Sequence, residues 1–194
     1  MVQEFGELAR RAVSAYQAGD AAGAASLCRE AITGLAGQGA YTDLLVVLGN
    51  LATVVSDPNE KRRVLAQAVW LAVALETSDS ILYMVALVQA LPEGSPMEET
   101  LAAAALMEAN RGGKPDLSRA QMAMKLASVV ARRKRVVRAE ADGFLRKFIM
   151  DAPKVAATLL PTLDDAVGEG WAFDRSPVIK MVGERLVGRS HPAH

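Results

Sequence analysis

Apolar residues recur along most of the chain at the three- and four-residue spacing of an amphipathic helix, and no stretch alternates apolar and polar positions for long. Glycine and proline residues divide this pattern into short segments. The pattern predicts an all-α protein with helices over residues 3–18, 21–36, 42–56, 58–76, 79–91, 96–110, 117–149, 153–167 and 177–187. The 117–149 stretch, whose apolar stripe is interrupted by Arg133, fits either one long helix or two. Pro161 is expected to kink or end the helix that contains it.

Three of these segments open with helix start signals. The segment Asp57-Pro58-Asn59-Glu60 combines a cap residue, a proline at the first helical position and a glutamate three residues after the cap. Ser95-Pro96-Met97-Glu98 has the same design, and Ser176-Pro177 begins the last helix in the same way. In the two longer segments, the cap side chain and the glutamate are both expected to satisfy N–H groups at the helix start.

Small residues recur at a fixed interval in the first part of the chain. Ala12, Gly49 and Ala86 lie mid-way along the first, third and fifth predicted helices, 37 residues apart each time. A tight turn at Gly19-Asp20 follows the first of these helices. Because a hairpin of two helices cannot bury its apolar face alone, the interval predicts several stacked hairpins.

These positions resemble the tetratricopeptide repeat, a helix-turn-helix unit of 34 residues. Ala12, Gly19-Asp20, Ala24 and Ala31 match the family's small-residue and turn positions in the first unit, and Leu48-Gly49 matches its Leu-Gly pair in the second. The second and third units have longer turns, and the family's early Trp and closing Pro are missing.

The resemblance covers about residues 3–110. It implies a right-handed α-solenoid of helical hairpins with extra C-terminal helices. We therefore expect hairpins over residues 1–112, and a basic helical segment with capping helices over residues 113–194, in one continuous domain.

In this family the first helices of successive hairpins line a groove that binds a polypeptide segment. Carrying the groove positions over to this sequence gives a neutral and fairly apolar set: Ala9, Val13, Tyr16, Gln17, Asp43, Val46, Asn50, Thr53, Ser80, Tyr83, Leu87 and Ala90. Some members clamp an acidic C-terminus with lysine, arginine and asparagine, but the corresponding residues here cannot hold a carboxylate. The resemblance thus implies a non-enzymatic scaffold or adaptor that binds an apolar or amphipathic segment, with Asn50 hydrogen-bonding an extended backbone.

Charge is unevenly distributed along a chain whose formal net charge is zero. Residues 1–110 carry 6 Lys/Arg and 13 Asp/Glu, whereas residues 111–147 carry 11 Lys/Arg and 3 Asp/Glu. The basic patch consists of Arg132, Arg133, Lys134, Arg135 and Arg138. The patch is typical of a solvated face, of a face that pairs with the acidic residues 1–110 (the acidic body), or of a contact with an anionic partner.

The basic patch therefore supports an alternative function, that of a nucleic-acid-associated or regulatory protein. The acidic body would repel a polyanion, which makes nucleic acid the less favoured partner. No aromatic residue is interleaved with the patch, so neither stacking on single strands nor insertion into a membrane is expected.

Composition excludes most catalytic and metal-binding classes. The 194 residues include one cysteine, and both histidines lie among the last four residues. We therefore expect no internal disulfide, no metal site, no cofactor and no enzyme activity. Cys28 is expected to be a buried thiol. Gly34, Gly37 and Gly39 follow a helix, which favours an interhelix turn over a phosphate-binding loop.

Targeting signals are not evident in the sequence. The first residues are acidic and lack the charged-then-apolar pattern of a signal peptide. The longest apolar run, residues 44–55, is shorter than a bilayer span requires. We expect a cytoplasmic protein without a membrane partner.

The aromatic residues and the last helix bear on packing and assembly. Trp70 is expected in the core between repeats, whereas Trp171-Ala172-Phe173 fits either a plug at the end of the helical stack or an exposed docking point. The last predicted helix is too apolar for a free surface, and the acidic body complements the basic segment. We therefore predict a homodimer or a larger homo-oligomer.

Overall fold

A computed structural model describes residues 2–77, 80–93, 95, 97, 98, 101 and 152–189. The helices of these residues are, in chain order, α1 (Val2–Gln17), α2 (Ala21–Gly37), α3 (Tyr41–Val54), α4 (Pro58–Ala74), α5 (Ser80–Ala90), α6 (Ala152–Val167) and α7 (Ser176–Arg189). The described residues form helices and turns and contain no strand, which confirms the all-α class.

Each of these helices begins and ends within two residues of its predicted bounds. Pro161 lies inside α6 and does not end this helix, so of the two expected effects only a kink remains. The predicted helix over 96–110 falls outside the described residues apart from residues 97, 98 and 101, and the helix over 117–149 lies wholly outside them.

Glycine and aspartate form the turns of the first two helices. Gly19 has a φ of +88°, and Asp20 Oδ1 accepts a 2.8 Å hydrogen bond from the N–H of Gly23 at the start of α2. Gly39, with a φ of +68°, turns the chain between α2 and α3. Gly34 lies within α2, so the predicted interhelix turn is formed by the later part of that glycine string.

Asp57 caps α4 as predicted. Its carboxylate accepts hydrogen bonds from the N–H groups of Asn59 and Glu60 at 3.2 and 3.1 Å, and Pro58 is the first helical residue. The carboxylate of Glu60, which was expected to return to the cap, instead lies 2.6 Å from Nη2 of Arg29. The glutamate of this start signal therefore joins α4 to α2.

Asp174 provides the acceptor at the start of α7. Its Oδ1 accepts a 2.9 Å hydrogen bond from the N–H of Ser176, the first residue of the helix. The last helix thus begins where the sequence predicts, but a carboxylate two residues earlier performs the capping.

The chain forms two compact units. The first contains the described residues of Met1–Thr77 and Val167–His194, and the second those of Ser78–Ala166. In the first unit α1 packs on α2, α2 on α3 and α3 on α4, and α1 also contacts α3. This packing of adjacent helices is compatible with a helical repeat.

Small side chains allow the helices of the first unit to approach one another. Ala24, Ala31 and Ala72 are completely buried, and Ala12 is buried at the centre of α1. Larger fully buried residues fill the remaining core: Ile32, Leu35, Leu44, Leu48, Leu51 and Leu71. Of the three residues that define the 37-residue interval, Ala12 is therefore a core residue, whereas Gly49 and Ala86 are half-buried.

Helix α4 is buried on every side from residue 64 to residue 72. A helix without an exposed face requires partners around its circumference. Within the first unit α3 and α7 both contact it, and residues 170 and 172 hydrogen-bond to its Gln67. The C-terminal residues thus complete the unit that the first four helices begin.

The second unit includes α5 and most of α6. Ile81, Met84 and Leu87 are buried along one side of α5, and Leu159 and Leu163 are buried one turn apart in α6. Both helices therefore have apolar side chains that face the protein interior.

Candidate functional site

Helix α3 has one uncovered side, and it carries the four groove residues predicted for this helix, of which Asp43 is exposed in the first turn. Val46 and Thr53 are exposed and Asn50 is half-buried. Their spacing of four and three residues places them on a single helix face. The opposite side is buried in the core: Leu44, Leu45, Val47, Leu48, Leu51 and Ala52.

Helix α1, which contacts α3, carries three more predicted residues. The exposed fractions of Val13 and Tyr16 are 42% and 45%, that of Val46 is 53%, and Gln17 is exposed. Because α1 contacts α3, these side chains belong to neighbouring helices of one unit. We call the set of Val13, Tyr16, Gln17, Val46, Asn50 and Thr53 the α1/α3 face.

The polar groups of the α1/α3 face differ in what they offer a ligand. The hydroxyl of Thr53 donates a 3.1 Å hydrogen bond to the carbonyl oxygen of Gly49, so its proton is used within α3. The amide of Asn50 provides both a donor and an acceptor at a half-buried position. The face combines exposed apolar side chains with an amide, which suits contact with a polypeptide.

The groove positions that the resemblance carries to α5 are less exposed. Ser80 and Leu87 are buried, with exposed fractions of 3% and 0%, and Tyr83 is half-buried. Tyr83 belongs to the second unit, whereas the α1/α3 face belongs to the first. The residues of the basic patch, Arg132, Arg133, Lys134, Arg135 and Arg138, lie outside the described residues.

A second contact, which sequence reasoning missed, joins the side chain of Gln67 to the backbone of residues 170 and 172. Nε2 of Gln67 donates a 3.1 Å hydrogen bond to the carbonyl oxygen of Gly170. Oε1 of the same amide accepts a 2.8 Å hydrogen bond from the N–H of Ala172. Gln67 is 1% exposed, so both ends of a buried amide are satisfied by one short segment.

A sequence signal for this contact does exist. Gln67 is the one polar residue among the buried residues 64–72, and a buried amide requires hydrogen-bond partners. Trp70 lies one turn further along α4 and is buried, as expected of a core residue. The helical pattern does not indicate which segment of the chain is the partner of Gln67.

Cys28 and the acidic side chains are the candidate nucleophile and candidate metal ligands of the described residues. Cys28 is completely buried, and burial raises the pKa of its thiol, an effect that the charge of Arg29 partly opposes. No group of three or more His, Cys, Asp or Glu side chains suited to a metal ion is found in the part of the chain described. Among the same residues, no helix is both long and apolar enough to cross a membrane.

The described chain is an all-helical protein whose successive helices pack against each other. Comparison with models of protein families, with curated proteins and with solved structures found no match to it.

Proposed function

We propose that this protein is a non-enzymatic binding module, a scaffold or adaptor whose α1/α3 face binds a polypeptide segment. The observation that carries the proposal is the exposure of Val13, Tyr16 and Val46 on two adjacent helices of one unit. Exposed large apolar side chains that cluster on one face are typical of interaction surfaces.

The order of helix contacts is compatible with a tetratricopeptide-like arrangement, for which we propose a right-handed solenoid. Helix α2 packs on both α1 and α3, and α1 also contacts α3. In stacked hairpins of that kind, the first helix of each hairpin lies beside the first helix of the next and together they form one surface. The α1/α3 face is the corresponding surface of this chain.

The chemistry of the face defines the class of ligand. Its side chains are aliphatic, hydroxyl, phenolic or amide groups, and none of the six carries a charge at neutral pH, although the exposed carboxylate of Asp43 lies one turn before Val46. We propose an apolar or amphipathic segment as the ligand, with its apolar side chains against Tyr16 and Val46 and a backbone group hydrogen-bonded to Asn50. A small number of aromatic and apolar anchors can supply most of the affinity in such a contact.

Site-specific photo-crosslinking tests where ligands bind. A photoreactive amino acid replaces Val46 in one variant and Ile179 in a matched control, because these residues are 53% and 51% exposed and belong to α3 and α7. In cells that express the protein, the first variant is expected to give discrete crosslinked products and the control to lack them. Equal products from both positions would contradict the proposed site.

Affinity measurements with the crosslinked segment test its recognition. The segment is synthesised, labelled and titrated with the wild-type chain, with Val46→Asp and with Ile179→Asp. Val46→Asp is expected to weaken binding by at least about tenfold, because it places a charge in an apolar contact, whereas Ile179→Asp should leave affinity unchanged. Retained affinity in Val46→Asp, with native helical content, would exclude the α1/α3 face.

The uneven charge of the sequence favours a second candidate function, association with an anionic partner through the basic patch. If that patch binds duplex DNA through about five phosphates, the logarithm of affinity should fall with the logarithm of salt concentration with a slope of about −4 to −5. A gel-shift titration at low salt measures this dependence. Absence of a shift at low salt would eliminate nucleic acid as the partner.

A further inference from the structure

The segment that leads from α6 back to α4 has the properties of a bound ligand. We call residues 168–175 the return segment and Arg63, Gln67 and Trp70 the α4 stripe. The three stripe residues are spaced by four and three positions, so they share one face of α4. This contact is distinct from the α1/α3 face and does not depend on the function proposed for that face.

The amide of Gln67 recognises backbone rather than side chains. The carbonyl of Gly170 and the N–H of Ala172 flank Trp171, and they are the two groups that an adjacent parallel strand would engage around that residue. Gln67 thus takes the place of a neighbouring strand. Such pairing needs only a carbonyl and an N–H group separated by one residue, and would form equally with a segment from another chain.

Aromatic side chains give the contact its specificity. The rings of Trp171 and Trp70 are 5.3 Å apart between centroids and meet edge to face, and Phe173 lies 5.6 Å from Trp171 in the same way. The guanidinium carbon of Arg175 lies 4.6 Å from the centroid of the Trp171 ring. Phe173 is 6% exposed. Trp171 therefore contacts the α4 stripe through Trp70, and Phe173 packs against Trp171 in turn.

Residues 168–170, the link that precedes this contact, allow the chain to change direction. Gly168 has a φ of +59°, and residues 168–170 are all exposed. At Gly170 a Cβ atom would lie 3.3 Å from the carbonyl oxygen of Val167 and 3.4 Å from Nη1 of Arg63, so glycine allows the chain to pass close to α4. The contacts that hold the return segment thus begin immediately after an exposed, glycine-containing link.

We propose that the α4 stripe also binds the return segment of a second copy of this chain, so that two copies exchange their C-terminal residues. The occupant is specified by the structure, because the same backbone groups and the same two aromatic residues would form the contact in trans. Within one chain the effective concentration of the segment is about millimolar, which favours the closed monomer at low protein concentration. Exchange of an identical element is a low-cost route from such a monomer to a dimer.

A peptide titration tests binding in trans. A fluorescent peptide with the sequence of residues 168–180 is titrated with the full chain, and anisotropy is measured. The variant Trp171→Ala/Phe173→Ala, which weakens the resident segment, is expected to bind the peptide at least about tenfold more tightly than the wild-type chain. Adding Gln67→Leu to that variant should remove this gain, and a peptide with alanine at both aromatic positions should not bind.

Circular dichroism establishes whether each variant keeps its helices. If Trp171→Ala/Phe173→Ala loses helical content, Trp171→Leu replaces it in the same titration, because leucine retains apolar volume in the contact. A helical variant that binds the peptide no more tightly than the wild-type chain overturns the proposal. Equal binding of the alanine-substituted peptide also overturns it, because the aromatic residues would then carry no specificity.

A shortened link tests exchange directly. Deletion of Gly168 and Glu169 removes the turn, including the residue with a positive φ, that directs the return segment onto its own α4, and short, strained links favour exchange between chains. Sedimentation equilibrium should then report twice the chain mass of 20.6 kDa, and adding Gln67→Leu should restore the monomer. A folded deletion variant that remains monomeric at high concentration would show that the segment does not dock in trans.

Discussion

The ring of Phe5 in α1 occupies the space in which a side chain on Gly34 of α2 would project. A Cβ atom built on Gly34 would lie 2.1 Å from Cε1 and 2.2 Å from Cζ of Phe5. The absence of a side chain at residue 34 is therefore what allows the ring to lie against the backbone of α2. Phe5 is half-buried by this contact at the outer end of the helical stack.

Replacing Gly34 with alanine should destabilise the protein, although alanine is the better helix former. Displacement of the Phe5 ring is expected to outweigh the gain in helix propensity and to lower the free energy of unfolding by about 1–3 kcal/mol. Chemical denaturation measures the change. Gly6→Ala is the matched control, because a Cβ at residue 6 meets nothing within 4 Å, and it should stabilise by about 0.5–1 kcal/mol. In a Phe5→Ala background, the cost of Gly34→Ala should disappear.

The caps of α4 and α3 should respond to substitution in opposite directions. Asp57→Ala removes two hydrogen bonds at the start of α4 and should cost about 1 kcal/mol of unfolding free energy. Ala40, the cap residue of α3, has no side-chain bond, and its φ and ψ of −82° and 61° resemble the −89° and 77° of Asp20. Ala40→Asn should therefore cap α3 and stabilise by about 0.5–1 kcal/mol. Thermal and denaturant unfolding measure whether each substitution raises or lowers the stability of the protein. Destabilisation by Ala40→Asn would contradict the comparison with Asp20.

The thiol of Cys28 should not react with thiol reagents while the protein is folded. Its complete burial excludes reagents, and the raised pKa of the thiol lowers the thiolate fraction at neutral pH. A chromogenic thiol reagent should react at least about a thousandfold more slowly in native buffer than in denaturant, because reaction requires opening of the core. The control Cys28→Ala/Ser56→Cys places the thiol at an exposed residue and should react at once. Rapid modification of wild-type Cys28 would show that α2 is not packed as described.

The contribution of Asp174 to stability should depend on pH. Hydrogen bonds from the backbone and side chain of Ser176 lower the pKa of this carboxyl below its ordinary value of 3.8. A lowered pKa in the folded state means that the stabilisation is fully present above that ordinary value and is lost as the pH falls through the folded pKa. The wild-type chain should thus be more stable than Asp174→Asn at neutral pH, with the difference vanishing in acid. Denaturant midpoints measured across the pH range follow this difference in stability. If the difference stays constant with pH, the stabilisation comes from hydrogen bonding and not from the charge of Asp174.

Local signals explain why the helix ends could be predicted from sequence. The turn at Gly19 requires a positive φ, and the Asp57-Pro58 pair both caps α4 and fixes its first residue. These effects act over a few residues, so the sequence around each end contains the whole cause. The exposure of Val13 and Val46 also follows from helical periodicity once the buried stripe of each helix is recognised.

Contacts between distant residues could not be predicted in the same way. Periodicity marks Trp70 and Phe173 as apolar, but it does not indicate that Trp171 lies between them. Gln67 and Ala172 are 105 residues apart in sequence, and no local preference selects one as the partner of the other. The partner of Glu60 could not be predicted for the same reason. Its carboxylate could bond either to the cap of its own helix or to Arg29, and Arg29 is near only because α2 packs on α3 and α3 on α4.

The junction of α4 with the return segment also sets an order of events during synthesis. Residues 1–77 leave the ribosome first, and the whole of Ser78–Ala166 must be translated before the segment that binds Gln67 exists. At about 5–20 residues per second, that interval lasts roughly 4–18 s, which is long compared with the time in which a helix forms. Throughout it the face of α4 that bears Trp70 lacks its C-terminal partner. The nascent chain therefore presents an apolar, aromatic surface of the kind that molecular chaperones bind, and the unit is completed only after Ser78–Ala166 has been translated.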